Sequence, residues 1–213
     1  MEKKKILVFN SGSGSGFQEL VENSRTGILQ ADIIGLVTNN KNNGCLQRAE
    51  KLLGIEMMVM KDYRAIDYDW VLNVFHAEDE WVVLSGWLKL TKGLNPQKTI
   101  NIHPGPLPYF GGPGMYGHHV HEAVIKAYKE GRIQSSEVCM HFVTEEYDKG
   151  PVFFRYPVLI RDDDDADSLA ARVNKIEHGW QSYVTNLVIQ GEISWDGKNP
   201  TSLVVPEHMK RFL

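Results

Sequence analysis

The stretch Lys5-Ile6-Leu7-Val8-Phe9-Asn10-Ser11-Gly12-Ser13-Gly14-Ser15-Gly16 decides the fold. Its first half is a short apolar run between charge and glycine, which is typical of a buried parallel strand. Its second half is a glycine-serine loop, and the pattern of residues 17–24 predicts a helix directly after it. A strand, a glycine loop and a helix in this order predict the first unit of an α/β sheet.

Strand and helix patterns continue to alternate beyond this unit. Strands are predicted at residues 5–10, 31–39, 55–60, 81–85, 99–103, 138–144 and 152–160, and helices at 17–24, 44–53, 67–76, 120–128 and 167–190. The last helix is marked by an apolar stripe at spacings of three and four, formed by Leu169, Val173, Ile176, Trp180, Val184 and Leu187. This alternation predicts a single-domain, Rossmann-like α/β fold in which right-handed crossovers connect the strands. We expect an open, mostly parallel sheet with helices on both faces, a domain over residues 1–193 and a C-terminal tail over residues 194–213.

Composition excludes several classes of protein. The chain has 213 residues and a net charge of −4, so no broad basic face for nucleic acid is expected. Its apolar runs are too short for a membrane span, and the one near the N-terminus is too short for a signal peptide. The two cysteines, Cys45 and Cys139, form no metal-ligand pair and no disulfide framework. These features predict a cytoplasmic protein that acts on small molecules, with no nucleic-acid or membrane partner; the oligomeric state stays open.

The glycine loop favours an anionic ligand. Glycines let the backbone approach a ligand closely, and N–H groups at a helix N-terminus attract phosphate. A dinucleotide fingerprint requires a third glycine where this chain has Phe17, and a P-loop requires Gly-Lys-Ser/Thr, which is absent. NAD and ATP are therefore disfavoured, and a small phosphorylated metabolite fits better than either; a merely flexible turn is the alternative.

Four polar residues are candidates for chemistry. Asn101 and His103 end the fifth predicted strand, where alternation places them on one face and where ligands bind in open α/β sheets. Asp148 lies in a turn after a later strand and can pair with His103 if the two strand ends converge. Glu177 lies at the edge of the apolar stripe of the last helix, so it either binds a ligand or forms a buried, partnered charge. A structural hydrogen bond is the alternative for His103, and turn formation is the alternative for Asp148.

Five segments in this order resemble the phosphoribosylglycinamide formyltransferase family of folate-dependent enzymes. They are the loop 11–16, the segment Ser85-Gly86-Trp87-Leu88-Lys89, the run Asn101-Ile102-His103-Pro104, residues 141–151, and Ala171-Arg172-Val173 with Glu177-His178. The resemblance spans roughly residues 4–193. It implies transfer of a formyl group from 10-formyltetrahydrofolate, as co-substrate, to the amine of glycinamide ribonucleotide in purine biosynthesis.

The resemblance also assigns residues by position. It implies the catalytic trio Asn101, His103 and Asp148. It implies a phosphate site at Gly14, Ser15 and Gly16 and a glycinamide site at Asn174, Lys175, Ile176 and Glu177. It implies a folate site at Arg64, Leu88, Lys89, Leu90, Thr91, Asn101, Thr144, Glu145, Glu146, Tyr147 and Asp148. Asp148 is expected to raise the pKa of His103, so that a protonated imidazole and Asn101 stabilise the formyl oxygen.

The chain departs from familiar members at several positions. Lys89 stands where arginine is common, which removes bidentate hydrogen bonding. The loop after Pro108 is longer and leads into His118, His119 and His121, which we interpret as a solvated loop and helix start without a metal. Alternatives are another folate-dependent N-formyltransferase, a formyltetrahydrofolate deformylase, and a non-enzymatic binding module on the same scaffold.

Overall fold

The computed structural model describes residues 3–52, 54–60 and 67–213. Seven strands lie within these residues: β1 (Lys4–Phe9), β2 (Ala31–Thr38), β3 (Glu56–Val59), β4 (Trp81–Ser85), β5 (Thr99–His103), β6 (Ser135–Phe142) and β7 (Val152–Leu159). Five α-helices accompany them: α1 (Ser15–Thr26), α2 (Gly44–Lys51), α3 (Tyr68–Val74), α4 (His118–Lys129) and α5 (Ala166–Ile189). The predicted fold class is confirmed, and the predicted elements match these within a few residues.

All seven strands form one sheet in the order β3-β2-β1-β4-β5-β6-β7. Strands β1 to β5 run parallel, and β6 is antiparallel to both β5 and β7. The strand order reverses at β1, because the chain passes outward to β3 and then returns to place β4 on the other side of β1. The loops after β1 and β4 therefore diverge, which opens a crevice at the carboxyl ends of these strands.

Apolar residues cover both faces of the sheet. Alternate side chains of β1 enter opposite clusters, Ile6 and Val8 on one face and Leu7 and Phe9 on the other. The first cluster includes residues of α1, α2, α4 and α5, whereas the second includes residues of α3. This pattern explains why β1 is apolar throughout: a central parallel strand is buried on both sides.

The C-terminal residues pack onto the domain. An isolated bridge joins Ser194 to Val204, and two 3-10 helices follow at Pro200–Ser202 and Glu207–Phe212. The Phe212 ring lies 5.1 Å from the Trp180 ring of α5 and 5.5 Å from the Phe154 ring of β7. Within the described part of the chain, no helix is long and apolar enough to cross a membrane.

Candidate active site

The predicted site segments meet at one cavity at the carboxyl ends of β1, β4 and β5. Its volume is about 510 Å³, and its wall is formed by the glycine loop, the segment after β4, the end of β5, the turn after β6 and one face of α5. The cavity therefore lies at the reversal of strand order, where the topology places a ligand site.

The glycine loop forms one end of this cavity. Gly14 caps helix α1 with a φ of 78°, a left-handed conformation that glycine adopts without strain. The N–H groups of Ser15, Gly16 and Phe17 open α1 and have no partner within the helix. Ser15 Oγ is also within reach of α5, 3.2 Å from His178 Nε2 and 3.4 Å from Asn174 Nδ2. The loop thus presents backbone donors and is braced by the helix opposite.

Four polar side chains converge at the centre of the cavity. Asp148 Oδ1 lies 3.9 Å from His103 Nδ1 and 3.4 Å from His141 Nε2. Asn101 Nδ2 lies 3.0 Å from the same His141 nitrogen, and Gly112 N–H donates to Asp148 Oδ2 at 2.8 Å. The two strand ends therefore do converge, and Asp148 contacts two imidazoles rather than one.

Burial controls the protonation of this group. Burial lowers the pKa of His103 below its usual value, and the opposing effect of Asp148 is smaller. The predicted rise in the pKa of His103 is therefore wrong, because His103 is only 4% exposed and desolvation outweighs the carboxylate. Burial also raises the pKa of Asp148, but the His141 hydrogen bond, His103 and the Gly112 N–H together lower it overall. The centre of the cavity holds a neutral His103 beside an ionised Asp148.

The tautomer of His103 follows from its other neighbour. His103 Nε2 lies 2.7 Å from the Phe110 carbonyl oxygen, which can only accept a hydrogen bond. The neutral imidazole therefore carries its proton on Nε2. Its Nδ1 lone pair faces Asp148 and is the position that can take a further proton.

The opposite end of the cavity is formed by two segments joined through a tyrosine. Leu90 N–H donates to Tyr147 Oη at 2.9 Å, which ties the segment after β4 to the turn after β6. Tyr68 Oη, on helix α3, donates to the Leu90 carbonyl oxygen at 3.1 Å. The predicted folate residues that line the cavity are Leu88, Lys89, Leu90, Thr91, Asn101, Thr144, Glu146, Tyr147 and Asp148.

Helix α5 supplies the remaining wall through Asn174, Glu177, His178 and Gln181, which recur at helical spacing. Burial raises the pKa of Glu177 to about 7, although a hydrogen bond from Asn174 opposes the rise. Asn174 Nδ2 lies 3.4 Å from Glu177 Oε2. Among the described residues, the hydrogen-bond partner of Glu177 is therefore a neutral amide and not a cationic side chain.

Three predicted site residues of the described part of the chain lie outside the cavity wall. Lys175 is exposed on α5, and Ile176 packs against the apolar cluster, so neither side chain lines the cavity. Glu145 lines a smaller neighbouring pocket of about 280 Å³ that also contacts Thr91 and Thr144. Arg64 lies outside the described residues.

The cavity wall also contains residues that were not predicted, and three polar ones among them are His141, His121 and Gln181. His141 lies on β6 and is paired with Asn101 of β5 in the antiparallel β5–β6 pair. This register is visible only in the folded sheet. His121 is buried although its neighbours His118 and His119 are exposed, so its predicted solvation is wrong: it lies on the inward face of α4 beside Val120 and Val124. Burial, His118 and His103 lower the pKa of His121 to about 4. Gln181 is buried one turn after Glu177.

Among the described residues, the histidines of α4 are not part of a metal-binding group. In the described ranges, no group of three or more His, Cys, Asp or Glu residues is placed to hold a metal ion. His118 contacts Asp167 at 2.9 Å and His119 contacts Glu122 at 3.0 Å, and these polar contacts lie on an exposed part of the surface.

Known proteins with similar sequences and structures point to one family. The formyl transferase family model matches residues 4–187. Phosphoribosylglycinamide formyltransferase, chloroplastic, of Vigna unguiculata is 35% identical over 222 residues, covering 100% of this chain and 70% of that relative. The protein of the same name from Arabidopsis thaliana is 34% identical over 205 residues, covering 91% of this chain and 68% of the relative. The crystal structure of phosphoribosylglycinamide formyltransferase from Anaplasma phagocytophilum superposes with a TM-score of 0.74 at 27% identity and covers 90% of each chain.

These relatives correct the predicted localisation. Both plant proteins are named chloroplastic, which contradicts the expectation of a cytoplasmic protein. The expectation rested partly on two unpaired cysteines, and free thiols indicate a reducing environment without specifying a compartment.

Proposed function

This chain belongs to the formyl transferase family, and we propose that it transfers the formyl group of 10-formyltetrahydrofolate to the amine of glycinamide ribonucleotide in purine biosynthesis. One observation carries the proposal. The group formed by Asn101, His103, His141 and Asp148 lies at the centre of a cavity whose two ends differ in chemistry. One end offers backbone donors for a phosphate, and the other offers a partly apolar slot for a flat heterocycle.

The two substrates enter from opposite ends. The ribonucleotide phosphate binds at Gly14, Ser15 and Gly16, because the N–H groups that open α1 favour an anion. The pterin of the folate binds between the segment Leu88–Thr91 and the turn that carries Tyr147. Binding the remote parts of both molecules brings the amine and the formyl carbon together, which lowers the entropic part of the barrier.

Glu177 receives the amine. With a pKa near 7, it is substantially ionised under neutral conditions, and its Asn174 partner does not neutralise it. The acceptor amine supplies the missing donor, and its hydrogen bond to Glu177 orients the nitrogen lone pair. Lys175 and Ile176 contribute to this site only through the backbone of α5, because their side chains lie outside the cavity wall.

The reaction consists of addition followed by elimination. The amine nitrogen forms a bond to the formyl carbon, and negative charge develops on the formyl oxygen. Asn101 Nδ2 is the donor placed to stabilise that charge, and one such donor is worth about 3 kcal/mol. The nitrogen then loses a proton and the departing folate nitrogen gains one before the old C–N bond breaks.

His103 carries this proton. Its Nδ1 is unprotonated in the resting site, so it accepts the proton of the attacking nitrogen, and the resulting imidazolium faces Asp148. The carboxylate stabilises the imidazolium during the interval before the proton passes to the folate nitrogen. Each step uses side chains already in the cavity, so the mechanism needs no metal ion.

The test is an acceptor panel. Purified protein is mixed with 10-formyltetrahydrofolate and, separately, glycinamide ribonucleotide, glycinamide, an amino sugar nucleotide or no acceptor beyond water. We expect rapid loss of the formyl donor with glycinamide ribonucleotide alone. Equal loss without an added amine would indicate a deformylase and would overturn the proposal.

A further inference from the structure

The amide of Gln181 is a buried polar group with an unfilled hydrogen-bond position. Its side chain is part of the cavity wall although the residue is only 1% exposed. Gln181 Oε1 accepts a hydrogen bond from Ser85 Oγ at 3.3 Å, whereas Nε2 has no partner among the described residues. A buried amide nitrogen without an acceptor is destabilising, so its retention calls for a partner outside the chain.

Neighbouring atoms show where the Gln181 side chain lies in the cavity. A Cβ atom at Gly16 would lie 3.2 Å from Gln181 Oε1 and 2.5 Å from Ser85 Oγ. The Gln181 amide therefore lies directly beside the backbone of the glycine loop, and the absence of a side chain at position 16 leaves room for it. Glu177 precedes Gln181 by four residues on α5, so both side chains lie on one face of that helix.

The bond to Ser85 determines what the amide can bind. Because Oε1 is engaged, the free end is a donor, and its partner must offer an acceptor oxygen. Asn10 joins the end of β4 to the start of the loop. Its Nδ2 donates to the Ser85 carbonyl oxygen, and its Oδ1 accepts from Gly12 N–H at 2.8 Å. Through its bond to Ser85, the Gln181 amide therefore lies where the end of β4 meets the start of the loop.

We propose that Gln181 is a substrate-binding residue whose Nε2 donates to an oxygen of the ribose-phosphate part of the acceptor. This inference rests on the proposed function, because it requires the ribonucleotide to occupy the loop end. Gln181 selects for the anionic sugar half of the substrate, while Glu177 one turn earlier on α5 selects for the amine.

Two substitutions and one control test the assignment. Gln181→Met preserves the size of the side chain and removes the donor. Gln181→Glu keeps an oxygen for Ser85 and places an acceptor where the substrate also has an acceptor. Thr185→Val is the matched control, because Thr185 Oγ1 on the same helix is likewise buried and has no hydrogen-bond partner in the part of the chain that the structure describes, but it lies outside the cavity wall.

The readouts are KM for each substrate, the Ki of ribose 5-phosphate as a competitor, and the melting temperature. We expect Gln181→Met to raise KM for glycinamide ribonucleotide and the Ki of ribose 5-phosphate by about 10-fold, since 1.4 kcal/mol corresponds to a factor of ten. Gln181→Glu should raise both further, and KM for 10-formyltetrahydrofolate should stay within two-fold in both variants. Thr185→Val should leave all three constants unchanged.

Two results would overturn the inference. One is a KM and a Ki within two-fold of wild type in both Gln181 variants while the melting temperature falls, which would make Gln181 a purely structural residue. The other is an equal rise in KM for both substrates. Failure of the proposed function itself is separate: the wild-type protein would then form no formylated ribonucleotide, whatever residue stands at position 181.

Discussion

Burial sets the protonation of two residues that face the cavity, His103 and Glu177. Burial lowers the pKa of His103, which keeps its imidazole neutral, and raises the pKa of Glu177 to about 7. Each pKa therefore departs from the value that its residue type has in water. Perturbed groups of this kind cluster at sites where protons move. Substitutions at these two residues and at their partners therefore report on proton transfer in the cavity.

Replacing His103 or Asp148 should abolish most turnover without unfolding the protein. His103→Ala removes the proton carrier, and we expect kcat to fall by about 100-fold or more. Asp148→Asn removes the charge opposite the imidazolium but preserves the backbone, because Asp148 has a φ of 54° and asparagine tolerates that region well. Single-turnover rates and thermal melts are the measurements.

His119→Ala is the control for these two variants. His119 is exposed on α4 and lies outside the cavity wall, so its loss should leave the rate unchanged. Turnover close to wild type in the His103 or Asp148 variant would remove that residue from the mechanism.

Glu177→Gln should stabilise the protein and weaken acceptor binding, in a way that depends on pH. The folded-state pKa of Glu177 is raised from 4.5 to about 7, so wild-type stability from this group is fully present below pH 4.5 and is lost as the pH rises through about 7. Glutamine resembles the protonated acid at every pH. The variant should match wild type near pH 4.5 and exceed it by at most about 3 kcal/mol above pH 8.

Denaturant unfolding at several pH values measures this difference, and the acceptor KM measured alongside separates the two roles. We expect KM for glycinamide ribonucleotide to rise by at least ten-fold in Glu177→Gln. A variant that is less stable at pH 8 and keeps its acceptor KM would show that Glu177 is only a structural residue.

At the scale of elements, the glycine loop depends on its contact with α2. A Cβ atom at Gly14 would lie 2.4 Å from Cys45 Cβ, so no side chain fits there without moving the loop or the helix. Gly14 also has a positive φ, which costs other residues about 1–2 kcal/mol. The loop conformation is therefore held by two independent restraints at one residue.

Gly14→Ala should raise KM for the ribonucleotide by ten-fold or more and leave KM for the folate within two-fold. Gly27→Ala is the matched control, because Gly27 ends the same helix with a φ of 81° but has no atom within 4 Å of its Cβ position. Both variants should lose stability from backbone strain, and Gly14→Ala should lose more because its Cβ atom also clashes with Cys45. Equal effects on the two substrates in Gly14→Ala would argue that the loop does not bind the phosphate.

At the scale of the whole molecule, the sequence predicted the sheet well because periodicity is a local property. The strands Trp81–Ser85 and Thr99–His103 have the predicted bounds, and the long helix differs by one residue at each end. The resemblance to the formyltransferase family is likewise confirmed, because five short segments in a fixed order leave few alternatives.

What the sequence could not supply were the effects of packing. The approach of His141 to Asn101 depends on the register of an antiparallel pair, and the inward face of His121 depends on how α4 docks. The direction in which the pKa of His103 changes depends on desolvation, which acts only once the residue is buried. The Gln181 amide gave no signal, since a glutamine in a helix is usually a solvated residue.

The destination of the formyl carbon distinguishes transfer to the ribonucleotide amine from release as formate. The protein is mixed with 10-formyltetrahydrofolate labelled with carbon-13 in the formyl group and with glycinamide ribonucleotide, and the products are followed by NMR. The proposed reaction requires the label to appear as a formamide on the ribonucleotide amine, with none as formate, and requires Asp148→Asn to slow its appearance by orders of magnitude. Label recovered as formate at the same rate with and without the ribonucleotide would contradict the claim.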